Sequence, residues 1–276
     1  MRVVMLLLVA DEADVVRENL DFHLAQGIDH AIVMDNASTD GTGEILRGYE
    51  ERGAIRLIRR EGLYDQGPWM TELARIAVEE EGADWVIPND ADEFWWPHEG
   101  TLRDVLAAVP DEVGGLVCQR VNFVPRPDDG RPWWERMTLR QRVSVNGMGW
   151  PLPPKVIHRA QPELTIKKGN HRRSEPEVGS TVSWPAVEVL HYQLRSYEQF
   201  ERTVVRMGKA HDAEPERRPR RVGRSRRRQY QLWRNGKLPA YYEERVVAES
   251  NADVVEDTRL RDHLLALYGS GVAGSG

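Results

Sequence analysis

Apolar and polar positions fall into alternating blocks along the first third of the chain. Arg2–Val9 is a continuous apolar run of strand length. Asp14–Gln26 follows with Val15, Val16, Leu20, Phe22 and Leu24 at roughly helical spacing, and Gly27 stops it. His30–Met34 is a second apolar strand, and Asp35–Gly41 is a loop made of turn formers. Thr42–Arg52 reads as a helix closed by Gly53, and Ala54–Ile58 as a third strand. Pro68–Glu81 reads as a helix with proline in its first turn, and Asp84–Ile87 as a strand running into Pro88-Asn89-Asp90-Ala91-Asp92-Glu93. This alternation predicts an α/β fold with a mostly parallel sheet covered on both faces. Ligands of such sheets sit at the carboxyl ends of the strands. Three polar clusters fall there: Asp11-Glu12, Asp35–Asp40 and Asp90–Glu93.

From about Leu116 the alternation fades. Leu116–Phe123, Thr165–Lys167 and Val187–His191 read as further strands, with a Pro/Trp/Arg-rich stretch after the first of them. Ser196–His211 reads as a helix with Phe200, Val204 and Met207 on its apolar face. Arg217–Arg228 then holds eight arginines in twelve residues, a shorter helical segment runs to about Leu267, and Gly269–Gly276 is expected to be a disordered tail.

Composition adds three constraints. The 276 residues are 40% hydrophobic, enough for a packed core, and no apolar run approaches the ~20 residues of a membrane span. The apolar Met1–Ala10 is followed by Asp11-Glu12 with no small-residue cleavage pattern, so it reads as a strand rather than a leader. The single Cys118 excludes an intrachain disulfide and suits a cytoplasmic protein. Charge is unevenly placed: residues 1–115 carry 9 Lys+Arg against 25 Asp+Glu, and residues 116–276 carry 29 against 19. The acidic front suits metal chelation, and the basic back suits an anionic ligand.

Asp90-Ala91-Asp92 is the sharpest constellation. Two carboxylates one residue apart on a turning backbone can reach a single divalent cation. Hard oxygen ligands favour Mg²⁺ or Mn²⁺, whose shells are commonly completed by phosphate oxygens and water. Such an ion would hold a diphosphate and neutralise it as it leaves. Asp35 can accept hydrogen bonds from a base or ribose edge, while Asn36, Ser38 and Asp40 turn the chain and cap the helix near Thr42.

The ordered segments Asp11-Glu12-Ala13-Asp14, Gly27-Ile28-Asp29-His30, Met34-Asp35-Asn36-Ala37-Ser38-Thr39-Asp40-Gly41-Thr42 and Asn89-Asp90-Ala91-Asp92-Glu93-Phe94 resemble family 2-type glycosyltransferases. An Asp-x-Asp-Glu-Phe motif of this kind is shared with family 92. The resemblance is strongest over residues 1–125 and implies a GT-A fold with a helical C-terminal extension. It also implies a nucleotide-sugar donor, usually UDP-linked, a Mn²⁺ or Mg²⁺ ion, and inversion at the anomeric carbon. Carried over by residue, Asp35 touches the nucleoside, and Asp90, Ala91 and Asp92 meet ribose, metal and diphosphate. Asp11 or Glu12 lines the base pocket, where relatives often have Lys-Asn-Glu, and Gln66 and Trp69 approach the donor. Relatives place a histidine after the last core strand and then an Arg-Ser-x-Glu-x-Phe helix start. His191, ahead of Arg195-Ser196-Tyr197-Glu198-Gln199-Phe200, matches it as a metal ligand beside Asp90 and Asp92. The implied organisation is a GT-A domain over 1–213, in which residues 1–115 bind donor and metal and residues 116–213 bind the acceptor. A basic helical extension over 214–268 and the tail complete it.

Direct displacement needs a general base near the acceptor hydroxyl. Asp128, Asp129, Glu135, His171 and Glu175 are candidates, with Glu135 and His171 set beside Asp92 as catalytic residues. Trp95, Trp96, Trp133, Trp134 and Trp150 offer either core packing or aromatic faces for a sugar ring. The arginine run reads as a lid or acceptor loop rather than a nucleic-acid site, and it leaves room for peripheral membrane contact. The acceptor is expected to be a saccharide or secondary metabolite of a bacterium, given the Arg/Glu/Ala/Gly-rich composition. Two rival functions are a nucleotidyltransferase and a non-catalytic polyanion-binding protein. The first would carry a glycine-rich basic phosphate loop where this chain has Asp11-Glu12.

Overall fold

The structure is a computed structural model that describes residues 1–62, 64–145, 149–167, 169–170, 179–213, 224–247 and 253–270. In chain order the elements are β1 (Val3–Val9), α1 (Val16–Ala25), β2 (His30–Asp35), α2 (Thr42–Glu51), β3 (Ile55–Arg59), α3 (Gln66–Glu79) and β4 (Trp85–Asn89). Next come β5 (Glu93–Pro97), α4 (Leu102–Ala107), β6 (Val113–Asn122), α5 (Trp133–Arg136), β7 (Leu139–Gln141), β8 (Lys155–Arg159) and β9 (Ser180–His191). The chain closes with α6 (Tyr197–Ala213), α7 (Arg224–Arg234), α8 (Leu238–Glu243), β10 (Val254–Glu256) and α9 (Arg259–Ser270).

Two compact units divide the chain: Met1–Arg120 with Leu152–His191, and the described residues of Val121–Pro151 with Tyr192–Gly276. The first holds the eight-stranded sheet, in order β3-β2-β1-β4-β8-β6-β9-β5. Strands β3, β2, β1 and β4 run parallel, and β4–β8, β8–β6 and β9–β5 pair antiparallel. This is the α/β architecture of the GT-A type. Every residue of β1 is buried, as a strand between two parallel neighbours must be. One sheet face, from Val4, Leu6, Leu8, Ile32, Met34 and Val86, packs on Trp69, Met70, Leu73 and Ala77 of α3. Beside it, Phe22 of α1 meets Phe94 of β5 edge-to-face at 5.4 Å.

In the second unit β7 pairs antiparallel with β10. Phe200 and Val204 of α6 pack with Leu238 and Tyr242 of α8, and Tyr230 and Trp233 of α7 lie against this cluster. No described helix is long and apolar enough to cross a membrane.

Several elements depart from the sequence reading. Thr165–Lys167 is not a strand; the Ile166 N–H instead donates to Thr71 Oγ1 of α3 at 2.8 Å, a side-chain partner replacing a ladder. The last sheet strand starts at Ser180 rather than Val187. Strands β5 and β8 were not expected. Arg224–Arg228 lies in helix α7 and not in a loop, while Arg217–Gly223 and 271–276 of the tail lie outside the described residues. The formal cap of α2 is Gly41, at φ +99°. Asp40 still serves the helix start, since its Oδ1 accepts from Thr42 N at 3.1 Å and from Thr42 Oγ1 at 2.6 Å.

Candidate functional site

Because β1, β2 and β4 are parallel and adjacent, their carboxyl ends share one edge of the sheet. The register aligns Val9 with Asp35 and Leu7 with Asn89, so the turns after all three strands start side by side. The sequence reading placed its acidic clusters on these turns, and the fold brings them to that edge.

At the ends of β1 and β2 the clusters interlock. Asp35 Oδ1 accepts from Ser38 N at 3.1 Å and Ser38 Oγ at 2.5 Å, while Ser38 Oγ receives the Asp11 N–H at 2.9 Å. Asp11 Oδ1 in turn accepts from Thr39 N at 2.8 Å, and the Glu12 N–H donates to Thr42 Oγ1 at 2.9 Å. The three described non-glycine residues with positive φ are Asp11, Ala37 and Asn170. The first two are in this lattice and the third sits beside Asp90. Such backbone costs of order 1–3 kcal/mol per residue and persists only where its surroundings enforce it.

The turn after β4 is clamped from below. Asn19 of α1, fully buried, donates its amide to the carbonyls of Ala91 at 2.9 Å and Glu93 at 2.8 Å. Its own Oδ1 accepts from Asn89 Nδ2 at 3.0 Å, and Asn89 Oδ1 accepts from Trp95 Nε1 at 3.0 Å. This network fixes a sharp turn that presents Asp90 and Asp92 at the sheet edge. It also disposes of Trp95 as a sugar platform, since the ring is fully buried and spends its N–H inside the core. Trp69, Trp133 and Trp134 are likewise buried, Trp96 is half-buried against Phe22, and Trp150 is exposed.

Asp90 is surrounded by donors. Lys155 Nζ lies 2.5 Å from its Oδ2 and 2.9 Å from Glu93 Oε2. Gln66 Nε2, at the start of α3, donates to Asp90 Oδ1 at 3.2 Å, and Asn170 Nδ2 does so at 3.3 Å. Gln66 Oε1 takes the Gly169 N–H at 2.8 Å, which ties α3 to the segment after β8. Arg120 Nη1 reaches Glu93 Oε1 at 3.1 Å. Burial raises the Glu93 carboxyl, with Lys155 pulling the other way and the Asp90 charge adding to the rise. Asp92 lies elsewhere in the cluster, its Oδ2 3.5 Å from His191 Nε2 at the end of β9. Glu93 pairs with His191 in the β5–β9 ladder, and that register brings the imidazole to the turn.

A divalent ion at this turn would meet a hard carboxylate oxygen from Asp92, of the kind Mg²⁺ and Mn²⁺ take, and a borderline nitrogen from His191. Among the described residues no group of three or more His, Cys, Asp or Glu side chains is arranged to hold a metal. An ion on this pair would take its other positions from phosphate and water.

Glu135 is half-buried on α5 of the second unit. Asp129 is locked to Arg131 by two hydrogen bonds at 2.9 and 2.6 Å, and that guanidinium drives its carboxyl down to about 2, leaving a weak base. Asp128 is exposed, and His171 and Glu175 lie outside the described residues. Four residues that sequence reasoning did not assign are built into the site: Asn19, Arg120, Lys155 and Asn170. The signal for Lys155 was a lysine opening an apolar run, Lys155-Val156-Ile157-His158.

Residues 7–162, more than half of the chain, match the model of Glycosyl transferase family 2. No curated protein sequence matches the chain. Among solved structures, that of S. aureus TarS 1–349 in complex with UDP is similar at 16% identity and a TM-score of 0.44, covering 76% of this chain and 65% of that one. TarS 1–349 with UDP-GlcNAc gives 14% identity, a TM-score of 0.43, and coverage of 75% and 67%. A mycobacterial protein gives 20% identity and a TM-score of 0.30 over 47% of this chain and 43% of that one.

Proposed function

Since this chain belongs to glycosyl transferase family 2, we propose that it moves a sugar from a nucleoside diphosphate sugar, UDP-linked, to an acceptor hydroxyl with inversion at the anomeric carbon. The observation that carries this reading is the meeting of the Asp11, Asp35 and Asp90–Asp92 turns on one sheet edge, with His191 facing Asp92 at 3.5 Å.

In this reading the nucleoside lies along the Asp11–Asp35 lattice, whose strained, cross-linked backbone offers a rigid wall, and Glu12 borders the base. The diphosphate lies over the Asp90-Ala91-Asp92 turn, near Gln66. Asp92 and His191 would hold Mn²⁺ or Mg²⁺, which when bound supplies Lewis-acid stabilisation of the leaving diphosphate. The Asn19 clamp keeps the turn in place while charge develops next to it, so little reorganisation accompanies the reaction. An acceptor hydroxyl must lose its proton to a base within hydrogen-bond reach; Glu135 and His171 are the residues we assign for test. Donor binding is assigned to residues 1–115, with Lys155 and His191 added, and acceptor binding to residues within 116–213.

Thermal shift of the purified chain against UDP, GDP, dTDP and CDP, each with and without Mn²⁺, tests the reading. One nucleotide is expected to stabilise only in the presence of metal, and Asp92→Ala is expected to abolish that response. No shift with any nucleotide would overturn the reading. Proton NMR of the first-formed product decides inversion from its anomeric coupling.

A further inference from the structure

Asn170 combines two costs in one residue. Its backbone is left-handed, at φ +58°, a region that asparagine enters more readily than most side chains and glycine more readily still. Its side chain is fully buried, and Oδ1 accepts no hydrogen bond among the described residues. A buried acceptor without a donor loses its hydration and gains nothing in return. Glycine would remove both costs. The local backbone is held without the side chain, since Asn170 N donates to Lys167 O at 3.1 Å and Gly169 N donates to Gln66 Oε1 at 2.8 Å. Among the described residues the side chain makes one hydrogen bond, from Nδ2 to Asp90 Oδ1 at 3.3 Å. Strain and an orphaned acceptor beside a site point to function rather than to folding.

We propose that Asn170 is a positioning residue, which fixes the plane of the Asp90 carboxylate for the nucleotide and gives the fold no stability by being there. The proposal rests on the donor reading above. A carboxylate turns easily about its last torsion, whose preferences are broad, so a partner on one oxygen leaves its plane loose. Lys155 holds Oδ2 at 2.5 Å. A compact ammonium with rotatable donors sets where that oxygen lies but not the tilt of the group. Oδ1 is taken by two planar amides, Gln66 Nε2 at 3.2 Å and Asn170 Nδ2 at 3.3 Å. Both bonds are at the long end of the usual range, so the tilt depends on having the two together. Gln66 is not able to swing round and take over, because its Oε1 is committed to the Gly169 N–H. Asp90 is also the member of its ion pair that reaches solvent, with its side chain 32% exposed against 1% for Lys155. The carboxylate held from behind is therefore the one presented at the sheet edge.

A double-mutant cycle in the full chain tests this, read by isothermal titration with whichever of UDP, GDP, dTDP and CDP wild type binds, Mn²⁺ being present throughout. Asn170→Gly should weaken the nucleotide about tenfold, the loss of one hydrogen bond to a charged group. Its ligand-free Tm should stay within about 3 °C of wild type or rise, since the side chain adds nothing to the fold. Asp90→Ala should weaken the nucleotide by itself, and adding Asn170→Gly to it should cost less than about twofold more, because the two residues act through one contact. A residue that merely supports the fold would lower Tm and weaken binding by the same factor in both backgrounds. The proposal is overturned if Asn170→Gly binds as tightly as wild type, if its loss persists in full beside Asp90→Ala, or if its ligand-free Tm falls further than stated or the variant does not fold. Should Asp90→Ala not fold, Asp90→Asn takes its place in the cycle. Wild type that binds none of the four nucleotides would sink the donor reading itself, and this proposal with it, whereas failure in the variants alone leaves the donor reading standing.

Discussion

Asn19 and His23 show how much of the site rests on residues that never touch a ligand. The Asn19 amide holds two carbonyls of the acidic turn, and its backbone oxygen accepts from His23 Nδ1 at 2.7 Å. Asn19→Leu would strand two buried carbonyl oxygens and the Asn89 amide, each costing about 1–3 kcal/mol. Because such losses overlap, we expect about 3 kcal/mol in urea denaturation, accompanied by a fall in kcat. His23 Nε2 accepts the backbone N–H of Trp95 at 3.3 Å, which with the Nδ1 bond describes a neutral ring. Burial lowers its pKa from 6.5 to about 4. Between those values the unfolded chain binds the proton and the native chain does not, so stability falls as pH drops from about 6.5 towards 4. Between pH 7 and pH 4.5 this group should cost about 2.5 kcal/mol, read as the difference between wild type and His23→Gln in denaturation at the two pH values. Both residues lay unremarked inside a helical pattern, because a buried polar residue on an amphipathic helix looks like its solvent face. Asp90, Asp92 and Asp35 were legible because the strand ends announce themselves, whereas Lys155 depends on pairing across 65 positions of sequence.

Among elements, the parallel half of the sheet could be read almost residue by residue, since β1, β2 and β4 are apolar runs stopped by acid or proline, and β3 keeps Ile55, Leu57 and Ile58 around a single Arg56. The antiparallel half could be read only in part: Leu116–Phe123 and Val187–His191 fall in β6 and β9, but β5 and β8 were missed. β8 is five residues long with lysine and histidine inside it, and β5 was hidden within the motif that identifies the turn. Helix packing also overrides local preference. Gly208 on α6 lies against the ring of Tyr230 on α7, and a Cβ there would overlap the ring's inner carbons. Alanine favours a helix over glycine by about 1 kcal/mol, but overpacking typically costs 1–3 kcal/mol. Rigid ring atoms put this site at the upper end. Gly208→Ala should therefore destabilise the second unit by about 1–2 kcal/mol net, measured by thermal unfolding, while a Gly208→Ala/Tyr230→Leu double variant recovers most of the loss.

For the whole molecule, ligand and fold are linked by mass action. A donor nucleotide with Mn²⁺ at a hundred times its Kd adds about 2.7 kcal/mol. In a chain of this size that corresponds to a rise in Tm of about 5–10 °C, seen by differential scanning calorimetry and absent in Asp92→Ala. The acidic front and basic back of the sequence do not map onto an acidic site and a basic arm, since Lys155 and Arg120 bring positive charge from the later residues into the acidic turn. Charge sums along the sequence missed this because the first unit is assembled from two separated segments. That discontinuity has a consequence during synthesis. β8 lies between β4 and β6, and β5 has β9 as its neighbour, so on the ribosome β4 waits with a bare edge until Lys155 and its followers emerge. At typical translation rates the interval is roughly 3–13 s, during which the apolar Trp85-Val86-Ile87 edge is open to any strand nearby. Pro88, beyond the two residue pairs that β8 will make, has no N–H to offer such a strand, and it shortens the stretch that a holdase chaperone would have to shield.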